Sequence, residues 1–76
     1  HALRMYTKLY IKPLADGSHA LAFFNLGEAE ADLTLPQMYS GTVRDLWAKE
    51  NLDADSLRSF RMFPHTARLF RAFPHT

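Results

Sequence analysis

Two apolar runs separated by a four-residue turn sequence make up the segment Tyr10–Gly27, YIKPLADGSHALAFFNLG. In the turn, Ala15-Asp16-Gly17-Ser18, the glycine supplies the positive φ that a tight reversal requires. The side chains of Asp16 and Ser18 can bond their own backbone there. The segment therefore predicts an antiparallel β-hairpin at the centre of a sheet.

The two strands of this hairpin differ in their residue pattern. The first, Met5–Leu14, alternates with a period of two, which predicts one wet face. Its apolar side carries Met5, Leu9 and Ile11, and its other side carries Tyr6, Lys8, Tyr10 and Lys12. Pro13 lacks a backbone donor and suits an edge strand or a strand end. The second strand, His19–Asn25, is apolar at both parities, which predicts cover on both faces.

The rest of the chain predicts further strands and turns. Strand patterns cover Ala31–Leu35, Ser59–Phe63 and Ala67–Phe73, and the last two are joined at Pro64-His65-Thr66. A turn at Gln37–Gly41 exposes Tyr39, and Lys49–Ser56 is a charged loop. We expect residues 1–4 to be a frayed lead-in.

The segment Thr42–Trp47 is ambiguous on its residues alone. Thr42 followed by Asp45 fits a helix capping box. The β-branched start Thr42-Val43 and the aromatic Trp47 favour a strand instead.

The chain is short and nearly neutral. Its 76 residues predict one domain, and their 47% hydrophobic share is typical of a folded chain. With no cysteine, no disulfide stabilises so small a core, so packing against another domain is one way to gain stability. The first residue is His1, from which we expect a fragment of a longer chain. Interspersed charges with a net of +1 argue against nucleic-acid binding, and no apolar run is long enough to span a membrane.

Two features near the end of the chain have alternative interpretations. Four arginines lie close together in the sequence there: Arg58, Arg61, Arg68 and Arg71. They are either solvent-facing strand residues or a binding site for a polyanion. The motif Arg-x-Phe-Pro-His-Thr occurs at Arg61–Thr66 and again at Arg71–Thr76. We interpret it as two strand ends finishing in similar turns, with a chance duplication as the alternative.

Several motifs, in their order along the chain, resemble one known domain. They are KPLADGS followed by ALAFFN, DLTL at Asp32–Leu35, TVRDLW at Thr42–Trp47 and FRMFPHT at Phe60–Thr66. Together, from Tyr6 to Phe73, they resemble the C-terminal β-domain of melibiase-type α-galactosidases, glycoside hydrolases of family 27. The resemblance implies that Thr42–Trp47 is a strand. Thr66 stands where that family has a glycine, so the turn before it must differ.

The resemblance also implies a fold and a function. We predict an all-β domain over residues 1–76, an antiparallel β-sandwich of about six strands in Greek-key or meander order. In the family, the two catalytic aspartates lie on an N-terminal (β/α)8 barrel, to which nothing here corresponds. The chain is thus expected to be a non-catalytic accessory domain, inactive alone, of an enzyme that hydrolyses terminal α-galactosyl groups. A free-standing carbohydrate-binding module and an oligomerisation domain are the alternatives.

Candidate site residues follow from residue chemistry. Asp45, flanked by Val43 and Trp47, is either a general acid or, as we favour, a carboxylate that accepts nearby donors. No catalytic residue, metal ligand set or cofactor motif is predicted. Aromatic residues that could stack on sugar rings are Tyr6, Tyr10, Tyr39 and Trp47. For Trp47, however, we favour a place in the core, and for Tyr6 and Tyr10 burial under a neighbouring strand or domain.

The expected partners are protein surfaces. The parent barrel is the first, and a second copy of the chain is the other. Either would cover an apolar face made of Tyr6, Tyr10, Phe24 and Phe70.

Overall fold

A computed structural model describes residues 6–75 of the chain. The start of the expected first strand at Met5, the lead-in and Thr76 lie outside these residues. The described part contains seven strands and one short 3₁₀ turn, Ala54–Leu57. The strands are β1 (Thr7–Pro13), β2 (His19–Asn25), β3 (Ala31–Leu33), β4 (Thr42–Asp45), β5 (Glu50–Asp53), β6 (Phe60–Met62) and β7 (Thr66–Ala72).

The strands form two antiparallel sheets. One has five strands in the order β1-β2-β7-β4-β5, and the other pairs β3 with β6. The prediction of an antiparallel β-sandwich is confirmed, with seven strands where about six were expected. Because β7 returns between β2 and β4, the order is not a simple meander.

The β1–β2 hairpin forms as predicted, but it lies at one edge of its sheet and not at the centre, because β1 is the first strand in the order. Leu14 N–H donates to the Ser18 carbonyl at 2.8 Å, and Gly17 has a φ of 88°. The Asp16 carboxylate accepts the backbone N–H of Ser18 at 2.9 Å, which closes the turn. Pro13 is the last residue of β1, and β1 is an edge strand, so its missing donor disturbs no ladder.

Aromatic rings join the two sheets in the core. Phe23 on β2 meets Phe60 on β6 edge to face, with ring centroids 5.1 Å apart. Phe70 on β7 packs against both rings at 5.7 and 6.1 Å. Edge-to-face contacts of this kind add to the stabilisation from area burial. Leu21, Leu35 and Val43 are also fully buried in the core.

Two expectations about strands are wrong. The expected loop Lys49–Ser56 contains β5, which pairs with β4, and then the 3₁₀ turn. In β5 only Leu52 is apolar, so the alternation that marks a strand is too weak to detect. The expectation that β2 is covered on both faces is also wrong, because its second face, with Ala22 and Phe24, is only half-buried.

The two copies of Arg-x-Phe-Pro-His both follow strand ends, as interpreted, but only the first makes a tight turn. There His65 adopts a φ of 57°, and the Thr66 hydroxyl donates to the Phe63 carbonyl at 2.6 Å. Thr66, which the resemblance aligns with a glycine, begins β7. In the second copy, Pro74 instead forms a β-bridge with Tyr39.

Candidate functional site

The side of the five-stranded sheet that faces away from β3 and β6 is here called the outer face. Tyr10, Ala22 and Leu69 lie in one row across β1, β2 and β7 of this face. The neighbouring row includes Phe24, whose ring meets that of Tyr10 edge to face at 5.7 Å. Tyr10 is 58% exposed, and Ala22, Phe24 and Leu69 are half-buried. The outer face therefore carries an apolar band that the described residues cover only in part.

Basic residues flank the apolar band. Lys8 pairs with Phe24, so it lies on the same face. On the other side of the band, one row contains Lys12 on β1, Arg71 on β7 and Arg44 on β4. The outer face is thus apolar in its middle and positively charged at its margins.

The β4–β5 turn presents Trp47 to solvent. This side chain is 64% exposed, so the expectation that Trp47 lies in the core is wrong. The Asp45 carboxylate accepts the backbone N–H groups of Trp47 and Ala48 at 3.0 and 2.9 Å. Lys49 closes the turn with a φ of 57° and a bond from its N–H to the Asp45 carbonyl. The turn bends Trp47 away from the sandwich, which the parity of a straight strand does not reveal.

Asp45 is itself held by an ion pair. Its second carboxylate oxygen lies 3.0 Å from the Arg68 guanidinium, which stacks on the rings of Phe60 and Phe70. Burial acts to raise the pKa of Asp45, but the donors from Ala48, Arg68 and Trp47 outweigh it and the pKa is lowered. A carboxyl held ionised in this way is a poor general acid. The interpretation of Asp45 as an acceptor of nearby donors is confirmed.

Tyr39 lies in the core, so the expectation that it is exposed is wrong. It has no exposed surface, and its hydroxyl is 2.8 Å from His19 Nδ1. Burial raises the pKa of Tyr39. The Arg58 guanidinium fixes the backbone beside it by donating to the carbonyls of Leu35, Pro36 and Tyr39. Sequence reasoning missed this role of Arg58, since a lone arginine gives no local sign of distant carbonyl partners.

The four arginines near the chain end do not converge on one patch. Arg61 is paired with Asp32 at 3.2 Å and Glu30 at 3.8 Å. Arg58 and Arg68 serve the contacts described above, and Arg71 lies on the outer face. Phe70 was expected on an exposed face, but it is fully buried.

The sugar-stacking candidates are spread over the molecule. Tyr10 lies on edge strand β1, whereas Trp47 follows β4, with β2 and β7 between them. At strand spacings of about 4.8 Å this separates the two backbones by about 14 Å. Tyr6 precedes β1, half exposed, with its carbonyl accepting the Leu26 N–H at 2.7 Å. Elsewhere, an open cleft of 240 Å³ between β1 and β3 is lined by Thr7, Lys8, Leu9, Phe23, Asp32, Leu33 and Thr34.

Among residues 6–75, no group of three or more histidine, aspartate or glutamate side chains is arranged to hold a metal ion. No helix in that range has the length and apolar character that a bilayer crossing needs.

These features define the class of protein as a small antiparallel β-sandwich with one partly covered sheet face. The family model of the alpha galactosidase C-terminal beta sandwich domain matches residues 6–72. The chain belongs to this family, and it is therefore a C-terminal domain of the α-galactosidase type.

One solved structure shows the same fold. It is a Bacteroides fragilis NCTC 9343 protein assigned as an α-galactosidase, with a TM-score of 0.69 and 17% sequence identity. The match covers 92% of this chain but 16% of that protein, so the chain spans about one sixth of its length. No curated protein sequence matches the chain significantly.

Proposed function

We propose that the chain is a non-catalytic accessory domain of an α-galactosidase-like glycoside hydrolase. In this proposal the outer face packs against the catalytic barrel of the same polypeptide, and that enzyme hydrolyses terminal α-galactosyl groups. The observation that carries the proposal is the contrast between the two sheet faces. The inner face is closed by the core, whereas the outer face leaves Tyr10 exposed and Phe24 and Leu69 half-covered.

The chemistry of the described carboxylates supports a non-catalytic role. A retaining glycosidase needs two carboxyl groups about 5 Å apart, one of them protonated at working pH. Asp45 is the buried carboxylate of this domain, and its pKa is lowered by donors that also hold the backbone of a turn. Its geometry serves the fold.

Two measurements test the proposal. Residues 1–76 should release no product from a chromogenic α-galactoside, and deleting them from the full-length polypeptide should lower its melting temperature. Turnover that survives repurification of residues 1–76 and disappears in Asp45→Asn would contradict the non-catalytic role. An unchanged melting temperature after deletion would contradict the docking.

A carbohydrate-binding module is the second candidate, favoured by the exposure of Trp47 and Tyr10. If Trp47 stacks on a sugar, galactose should shift and quench its fluorescence in a saturable way, and Tyr10→Ala should leave that response unchanged because the two residues are far apart. The same spectrum with and without galactose favours the accessory domain.

A further inference from the structure

Two arginines face each other directly on the outer face. Arg44 on β4 and Arg71 on β7 are register partners. Partners in an antiparallel pair have Cα atoms about 5 Å apart, and like charges in that position are destabilising. The like-charged partners Asp45 and Glu50 of β4 and β5 have a counter-charge close by, since Arg68 lies 3.0 Å from Asp45. The arginine pair breaks the local rule without so close a counter-charge, which marks a candidate functional position.

Contacts within the domain offset this repulsion only in part. Arg44 donates to the neutral amide oxygen of Asn51 at 3.0 Å. The nearest carboxylate oxygen to Arg71 belongs to Asp16 at 3.9 Å, and both side chains are about half exposed. Asp53, two residues beyond Asn51 at the end of β5, accepts a backbone N–H with its carboxylate and so caps the 3₁₀ turn. An exposed pair at 3.9 Å contributes little stabilisation.

The arginine pair adjoins the apolar band. Arg71 is two residues from Leu69 along β7, on the same face, and Lys12 extends the basic row across Ala20 on β2. A partner that covers Tyr10, Phe24 and Leu69 therefore brings its own rim over Arg44 and Arg71. Excluding water there strengthens the repulsion between the two guanidinium groups unless the partner supplies a negative charge.

We propose that Arg44 and Arg71 jointly bind a carboxylate side chain, aspartate or glutamate, of the catalytic domain that docks on the outer face. This inference rests on the proposed function. The register places the two side chains on neighbouring strands of one face, and each guanidinium group can form the short, charge-assisted hydrogen bonds that arginine makes with carboxylates.

A second copy of the chain does not meet this requirement. The outer face carries four cations, Lys8, Lys12, Arg44 and Arg71, against the carboxylates of Asp16 and Asp53 at its edge. Both carboxylates already accept backbone N–H groups of their own turns, so pairing the face with itself mainly sets cations against cations. The charge pattern favours a different, acidic partner.

Arginine-selective labelling with p-hydroxyphenylglyoxal, read by mass spectrometry, tests the proposal in residues 1–76 and in the full-length polypeptide. Arg44 and Arg71 should label about tenfold more slowly in the full-length polypeptide, because hydrogen bonds between charged groups protect them there. Arg61 is the matched control: it lies on β6, its side chain is 63% exposed, and its labelling rate should not change. Nitration of Tyr10 in the same samples reports docking of the outer face independently.

A double variant distinguishes carboxylate binding by the two arginines from apolar docking on the outer face alone. In the full-length polypeptide, Arg44→Gln with Arg71→Gln should restore fast nitration of Tyr10, whereas Arg61→Gln should not. Two outcomes would show that the carboxylate site is wrong while the docking stands. In the first, Tyr10 is protected but Arg44 and Arg71 label equally in both samples. In the second, the double variant leaves Tyr10 protected. If Tyr10 is unprotected in the full-length polypeptide, the docking fails as well. Protection of both arginines in concentrated residues 1–76 alone would assign the face to a second copy and overturn the proposal.

Discussion

Asp45 illustrates how much one carboxylate organises in this fold. It accepts two backbone N–H groups, pairs with Arg68, and sets the direction of the turn that exposes Trp47. Because Arg68 also covers Phe60 and Phe70, the ion pair links the turn to the core. The residue that looked most like a catalytic acid is a structural element of the β4–β5 turn.

Replacing Asp45 by asparagine should lower the free energy of unfolding by about 1–3 kcal/mol, because Arg68 loses its charged partner. Since the folded pKa of Asp45 lies below its ordinary 3.8, its contribution is full above about pH 4 and is lost as the pH falls through the folded pKa. Urea denaturation from pH 2 to 7 should show a shallower acid loss in Asp45→Asn. Glu28→Gln, at an exposed loop position, is the control. An equally steep acid loss in both variants would contradict this assignment.

Trp47 is expected to behave as a solvent-exposed residue and not as a core residue. With 64% of its surface exposed, its emission should be red-shifted and readily quenched by iodide in residues 1–76. Trp47→Ala should change the free energy of unfolding by less than about 0.5 kcal/mol. Phe23→Ala, in the aromatic core, should lose about 3–5 kcal/mol. Blue-shifted, protected emission would show that the indole packs against the sandwich.

At the scale of elements, local chemistry predicted the strands that carry a clear signal. The hairpin follows from Gly17 and Asp16, and β2 from its run of apolar residues. The missed element, β5, has one apolar residue in four and forms through its pairing with β4. The predicted exposure is wrong for both Tyr39 and Trp47. Tyr39 is buried and forms a bridge with Pro74, whereas Trp47 is exposed by the turn that Asp45 holds. Contacts between distant residues decide such features, so periodicity does not reveal them.

The hairpin turn should be sensitive to loss of its glycine. Gly17 has a φ of 88°, and a Cβ added there meets nothing within 4 Å, so the penalty is in the backbone alone. Gly17→Ala should lower the free energy of unfolding by about 1 kcal/mol, the left-handed strain less the gain from a stiffer unfolded chain. Gly17→Asn, which tolerates this conformation better, should lose less in the same denaturation experiment. Equal stability of Gly17→Ala and the parent chain would exclude the left-handed turn.

For the whole molecule, the domain combines a closed core with an outer face that is apolar in the middle and basic at its margins. The expectation that the isolated chain self-associates through an apolar face changes accordingly. Phe70 does not belong to that face, and the cations that do belong to it oppose self-pairing. Apolar association and repulsion between the cations respond differently to salt, so a salt series can separate them.

We therefore expect residues 1–76 to be monomeric at low ionic strength and to self-associate as salt is raised. At about 0.02 M salt the cations of two outer faces repel, whereas near 1 M the screening length falls to roughly 3 Å and apolar contact dominates. Sedimentation velocity over a concentration series at both salt levels measures this. Leu69→Glu should abolish the high-salt association, because it places a charge in the middle of the apolar band. Met38→Glu, at an exposed position in the turn between β3 and β4, is the matched control. A dimer that forms at low salt and dissociates as salt rises would mean that the contact is electrostatically self-complementary, contrary to the charge pattern of the outer face.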